Sequence, residues 1–362
     1  MLPRDPENTV TPDRSNLQAL GAALLSPLFL GFAPIFGKLA YAGGSDPFTV
    51  AATRTVIAAA ILWTVYLLFF RRFIYIYPAG LMGCIIIGTV NGVGSLFYYN
   101  GLSHIDASLA QLLNSTYLIF VVILSRLGGH RLNKRTWLRV MLAIIAIGFL
   151  TGMHTGQINW LGIGLMIANA LLFAGTFVLS QRVLYEMPSP TVTLYVLTTM
   201  AVVVVMARLV YRLEWIPQSA EAFGAIAALG ITTALSRLTM FMGIKKLGSL
   251  QTVFLGILET AVALIMAVLF LHEQLSATQW IGVGILMISL LLIRPDDLVG
   301  TYIVDVPIFN IASMSFQKIA FMQAFGKDER LKLTPEELEQ IRRMMEVQPP
   351  PTSQAGGGSG RQ

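Results

Sequence analysis

Charge is what this sequence has least of. Only 12% of its 362 residues are Asp, Glu, Lys or Arg, while 55% are hydrophobic. A soluble domain carries about a quarter charged residues, so an ordinary water-soluble globule is excluded. Cysteine is nearly absent as well. The lone Cys84 excludes an intrachain disulfide framework and a cysteine-based metal site, and reads as a small buried hydrophobe. Alternating segments of about ten residues are missing, which argues against a membrane β-barrel. The start of the chain is polar and has no apolar core before Leu17, so no cleavable signal peptide is read there. No Walker A sequence occurs, which argues against ATP-driven pumping. His272-Glu273 opens like HExxH, but Ser276 stands where the second His would be. The four histidines, His104, His130, His154 and His272, share no ligand spacing. No metal, cofactor, enzymatic reaction or nucleic-acid partner is therefore expected.

What the sequence does have is long apolar runs, of roughly the 18 to 22 residues that cross a bilayer as helices. Ten spans are expected, at 17–41, 47–70, 79–101, 106–124, 137–151, 160–182, 190–211, 222–243, 249–271 and 278–293. Turn chemistry separates them, as at Gly43-Gly44-Ser45-Asp46-Pro47 and Pro188-Ser189-Pro190. The first span is expected to serve as the insertion signal.

A shift of 143 residues carries Leu132 onto Leu275, Trp137 onto Trp280 and Pro47 onto Pro190. One offset holding three such separate matches indicates a repeated half. The halves are placed at 17–151 and 160–293, five helices each. An odd number of spans turns the second half upside down relative to the first, a plan used by secondary transporters. The expected fold is thus an all-α integral membrane protein of two inverted five-helix repeats with a cytoplasmic C-terminal tail.

Lys and Arg set the orientation. Arg4, Arg14, Arg71, Arg72, Arg126, Arg131, Lys134, Arg135, Arg139, Arg182, Lys245, Lys246 and Arg294 fall on one side. Only Arg208 and Arg212 fall on the other. Both termini are expected in the cytoplasm of a cell whose plasma (inner) membrane holds the protein. Residues 1–16 form a cytoplasmic segment. The tail at 294–347 is expected to carry short amphipathic helices. One is the apolar but polar-broken run at 308–325. Another follows the capping box Thr334-Pro335-Glu336-Glu337. From 348 to 362 the composition is that of a disordered end.

Charges inside spans are costly, at least about 2.5–3.5 kcal/mol near the bilayer centre, so they face cavities or partners. Lys38 and Arg54 lie toward the outer end of their helices and could instead snorkel. Arg237 and Glu259 lie mid-helix, either paired with each other or lining a substrate path. Three cations against one carboxylate favour a substrate with a negative group. Glu259 could also carry a coupling proton. Among uncharged polar residues, Asn91 sits in the glycine-rich Gly88-Thr89-Val90-Asn91-Gly92-Val93-Gly94, where Gly88 and Gly92 could also be plain helix packing. Tyr117, Gln111, Asn114 and Asn169 belong to the same tier, with interhelical hydrogen bonding as the plainer alternative. The substrate-binding candidates are Arg54, Asn91, Arg237, Glu259, Lys38 and Tyr117.

Several marks resemble a known family. They are Asp46-Pro47-Phe48 followed by Arg54, its echo Ser189-Pro190-Thr191, and Leu258-Glu259 followed by Leu271-His272-Glu273-Gln274-Leu275-Ser276 and Gln279-Trp280-Ile281-Gly282. The chain resembles EamA-type members of the drug/metabolite transporter superfamily over roughly 17–293. It departs from the family pattern at Thr260, where proline is usual, at His272, where glycine is usual, and at His130, where glutamate is common. The resemblance implies a ten-helix transporter of small metabolites, often an exporter. The expected activity is alternating-access transport of an anionic or zwitterionic metabolite such as an amino acid or organic acid. A non-transporting membrane scaffold or lipid-handling protein acting through its tail is the alternative. The expected partners are the small-molecule substrate and the bilayer; homodimerisation is left open.

Overall fold

The computed structural model describes residues 14–127, 159–211 and 219–273, with isolated positions between 138 and 145 and between 277 and 288. Every regular element among the described residues is helical: α1 (Arg14–Gly31), α2 (Ala33–Ala42), α3 (Pro47–Leu68), α4 (Pro78–His104), α5 (Ala107–Asn114), α6 (Tyr117–Leu127), α7 (Trp160–Glu186), α8 (Ser189–Tyr211), α9 (Ala220–Leu247), α10 (Ser249–Leu255) and α11 (Ile257–Leu271), with a short 3-10 turn at Arg71–Phe73. They make eight segments long and apolar enough to cross a membrane. These coincide with the first four expected spans and the sixth to ninth. Of the expected fifth and tenth spans only those isolated positions are described, and residues 1–13 and the whole tail from 294 lie outside the described residues.

Local chemistry starts the helices where the turns predict. Asp46 is extended (φ −81°, ψ 157°) and its carboxylate accepts from the backbone N–H of Phe48 and Thr49, both at 2.9 Å, with Pro47 at the first helical position. Asn159 accepts from Gly162 N at 3.1 Å to open α7, and Ser219 from Ala222 N at 3.1 Å to open α9. Large apolar side chains such as Leu68, Met82, Val202, Met206 and Phe270 are exposed, as a lipid-facing surface requires.

Three spans expected as continuous helices are broken. The first breaks at Phe32, where Pro34 follows without an N–H for the ladder. The fourth breaks at Ser115–Thr116. There the two hydroxyls donate to the carbonyls of Gln111 (2.8 Å) and Leu113 (2.7 Å), satisfying groups at the end of α5. The ninth breaks at Gly256, whose N–H bonds back three residues to Val253 O at 3.0 Å. Glu259, read from sequence as mid-helix, therefore lies in the first turn of α11.

The halves interlock. α4 packs on α7 and α8, α9 packs on α1, α2 and α3, and α3 packs on α8. Exchanging the halves turns this set of contacts into itself. α4 meets α8 through Gly88 and Gly92. A Cβ on Gly88 would lie 2.6 Å from Thr199 Cβ, and one on Gly92 2.9 Å from Val203 Cβ. That pair is a packing face, and it leaves Asn91 pointing elsewhere. The start of α7 meets the end of α4, Gly162 lying against Gly101, His104 and Ile105. The start of α9 meets the end of α2, Ser219 Oγ donating to Gly43 O at 3.1 Å.

Candidate functional site

All three breaks border one cavity of about 50 Å³, flanked by Leu30 and Ala33 at the first break, Asn114 at the second and Glu259 at the third. That space holds roughly three to five waters. Half-helix ends at a central cavity present unsatisfied backbone groups and partial charges to whatever enters it.

Arg54, Asn91, Arg237 and Glu259, each nominated from sequence, line this cavity together. Arg54 is 5% exposed and does not snorkel. Its guanidinium donates to Thr233 Oγ1 at 2.9 Å and Ser95 Oγ at 2.6 Å and lies 4.5 Å from the Tyr99 ring centre. Arg237 is 7% exposed, donates to Asn91 Oδ1 at 3.0 Å and lies 5.1 Å from the Phe173 ring centre. The Nε of both arginines and the Nδ2 of Asn91 are buried without a hydrogen-bond partner among the described residues. Glu259 accepts from Gln111 Nε2 at 2.9 Å. No ion pair joins it to Arg237 among the described residues, so the static-pair alternative does not describe this arrangement. The first turn of α11 suits a carboxylate, because the helix dipole is positive there. Asn169 Nδ2 donates to Asn114 Oδ1 at 2.7 Å, bridging the halves at the cavity wall.

Two nominated residues are not brought to the cavity. Lys38 is half-buried on α2, within electrostatic reach of Asp106 and Glu273. Tyr117 is fully buried, stacked on Phe177 at 5.7 Å and edge-on to Phe173 at 5.0 Å. Its hydroxyl occupies the space a Cβ on Gly256 would need. It thus fills the notch at the ninth-span break. Tyr98, Tyr99, Ser95 and Phe173 line the cavity without having been nominated. A usable signal existed: Ser95 and Tyr98 follow Asn91 by four and seven residues, on one face of α4.

Two of the family departures have local causes. His272 caps α11 in the left-handed region (φ 53°, ψ 28°), the conformation for which glycine is suited. Thr260 hydrogen-bonds Ser115 Oγ, tying the ninth-span break to the fourth. Position 130 lies outside the described residues. Two arginines counted as loop charges are also relocated. Arg182 is buried within α7 and Arg208 within the last turn of α8.

Beyond the cavity, Glu273 clasps the start of α5. Its two carboxylate oxygens accept from Ala107 N at 2.8 Å and Ser108 N at 2.9 Å. The 143-residue shift carries Asp106 to Ser249 and Lys38 to Gln181. At that second place Gln181 Oε1 accepts from Ser249 N at 3.2 Å, holding the start of α10. Corresponding half-helices are thus anchored by a carboxylate in one case and an amide in the other.

A family model described as the EamA-like transporter family matches residues 17–152 and again 160–294, which bears out the resemblance read from the sequence. The uncharacterized transporter YcbK of Bacillus subtilis (strain 168) is 23% identical over 270 residues, spanning 69% of this chain and 84% of that protein. A solved structure described only as a crystal structure of a protein superposes with a TM-score of 0.60 at 19% identity, covering 76% of this chain and 96% of that one. That likeness speaks for the fold alone.

Proposed function

The chain belongs to the EamA-like transporter family, and from that footing we propose that it is a secondary transporter exporting a small anionic or zwitterionic metabolite across the plasma membrane by alternating access. The observation that carries the reading is the meeting of Arg54, Arg237 and Glu259, without an ion pair among the described residues, at one cavity where three spans break. A charge buried without an opposite partner is strongly unfavourable. A scaffold has no use for such an arrangement, whereas a charged substrate supplies the missing partner.

Two inverted repeats, with both termini cytoplasmic, account for the contact pattern. The start of α7 lies at the end of α4, and the start of α9 at the end of α2. Pairs of helix contacts exchange between the halves. In such a plan the two mouths open in turn. Glu273, holding the start of α5, and Gln181, holding the start of α10, act as the clasps of opposite mouths. No chemical step is assigned to the protein. Uptake and efflux in proteoliposomes against a metabolite panel, with and without a pH gradient, test the proposal. Saturable flux of an anionic or zwitterionic compound is expected; flux of cations alone would overturn the substrate class.

A further inference from the structure

We infer that the substrate is a singly charged anion, a small monocarboxylate whose body carries no further charge, rather than a zwitterion, a cation or a dianion. The inference rests on the transporter reading and narrows it. It starts from the formal charge of the cavity wall: Arg54 and Arg237 against Glu259 leave one positive charge in excess. Lys38, which the sequence alone added to the cations, is not among the lining residues.

The hydrogen bonds of the arginines leave that charge in place. Arg54 is held by two hydroxyls, and Arg237 by an amide oxygen and, at 3.7 Å, the Met240 sulfur. All four partners are neutral. Both side chains are more than nine-tenths buried, and each keeps an Nε–H without a partner among the described residues; Asn91 keeps an N–H in the same condition. Three donors around one small space call for an acceptor with several lone pairs, and a carboxylate supplies about four.

Glu259 sets the upper limit on negative charge. Its carboxylate faces the same cavity, so a second anionic group on the ligand would meet a like charge in a poorly screened site. A zwitterion leaves the excess positive charge uncompensated. The ligand's body meets Leu30, Ala33 and Tyr98, because the faces of Tyr99 and Phe173 are already covered by the two guanidinium groups. Ser95, Asn114 and Asn169 also line the space, Ser95 Oγ accepting from Arg54 and the two amides bonded to each other; none of these side chains offers a charge, so a body without further charge fits.

The test uses a size-matched series: butyrate, 2-aminobutyrate, butylamine and succinate, carrying charges of about −1, 0, +1 and −2 at neutral pH. Binding to the full-length, detergent-solubilised protein is measured by titration calorimetry. Butyrate is expected to bind at least about tenfold more tightly than the other three. Glu259→Gln raises the formal wall charge to two, and succinate should then overtake butyrate. Arg237→Gln lowers it to zero, and 2-aminobutyrate should gain relative to butyrate. Tightest binding of the zwitterion or dianion by the unmodified protein would overturn the inference, as would an unchanged ranking in Glu259→Gln. If none of the series binds while reconstituted protein still exchanges other metabolites, the inference fails and the transporter reading stands. If butyrate binds with the expected ranking but no solute is moved, the charge assignment stands and the transporter reading fails.

Discussion

Replacing Glu273 by Ala removes both oxygens that hold the start of α5, the contacts to Ala107 N at 2.8 Å and Ser108 N at 2.9 Å. Bonds to an ionised acceptor contribute about 1.5–3 kcal/mol each when buried. Glu273 is half-buried, and loss of a helix cap costs about 0.5–2 kcal/mol. About 2 kcal/mol is therefore a reasonable total, which amounts to about a 30-fold shift in the equilibrium between closed and open mouth. Ala110, fully buried on α5 between the clasp and the cavity, is the reporter. In a Cys84→Ala background, Ala110→Cys should react slowly with a small maleimide, and Glu273→Ala should speed the reaction by about 30-fold. Gln181→Ala loosens the opposite clasp. In a protein whose mouths alternate, it should slow labelling at Ala110→Cys. General loosening would raise the rate in both variants. An unchanged rate in Glu273→Ala, with the melting profile intact, would refute the clasp.

Other perturbations follow from the same contacts. Gly256→Ala drives a methyl into the Tyr117 hydroxyl. It should destabilise by about 1–3 kcal/mol, and Tyr117→Phe should recover part of that loss in a double-mutant cycle read by thermal denaturation. His272→Gly relieves a left-handed non-glycine residue and should stabilise by about 1 kcal/mol in the same assay. Ser115→Ala breaks the bond to Thr260 that ties two helix breaks together. It should cost about 0.6–1.7 kcal/mol, and Thr260→Ala added to it should cost little more.

Much of this architecture was legible because a membrane leaves few choices. Apolar runs had to be helices, and polar residues inside them stood out. Arg54, Asn91, Arg237 and Glu259 were visible for that reason and do meet at one cavity. The helix breaks were left unread: Pro34 in the first span was a visible signal, but the other two were not. Gly256 lies between Leu255 and Ile257, and hydropathy alone cannot tell a broken span from a straight one. Tyr99 could not be told from ordinary apolar bulk, since nothing in a linear pattern separates a ring against lipid from one beneath an arginine. Arg182 and Arg208 were miscounted as loop charges because they stand near span ends, where burial is decided by neighbouring helices. Glu273 was read only as part of an incomplete HExxH and of the family pattern; its partners lie more than 160 positions away.

The central claim is that solute crosses through the cavity bearing Arg54, Arg237 and Glu259. Its most direct test is counterflow in proteoliposomes, comparing the unmodified chain with the Arg54→Gln, Arg237→Gln double variant at matched reconstitution and melting profile. The account predicts saturable counterflow of an anionic metabolite by the first and none above protein-free liposomes by the second. Equal flux in the two preparations would contradict it.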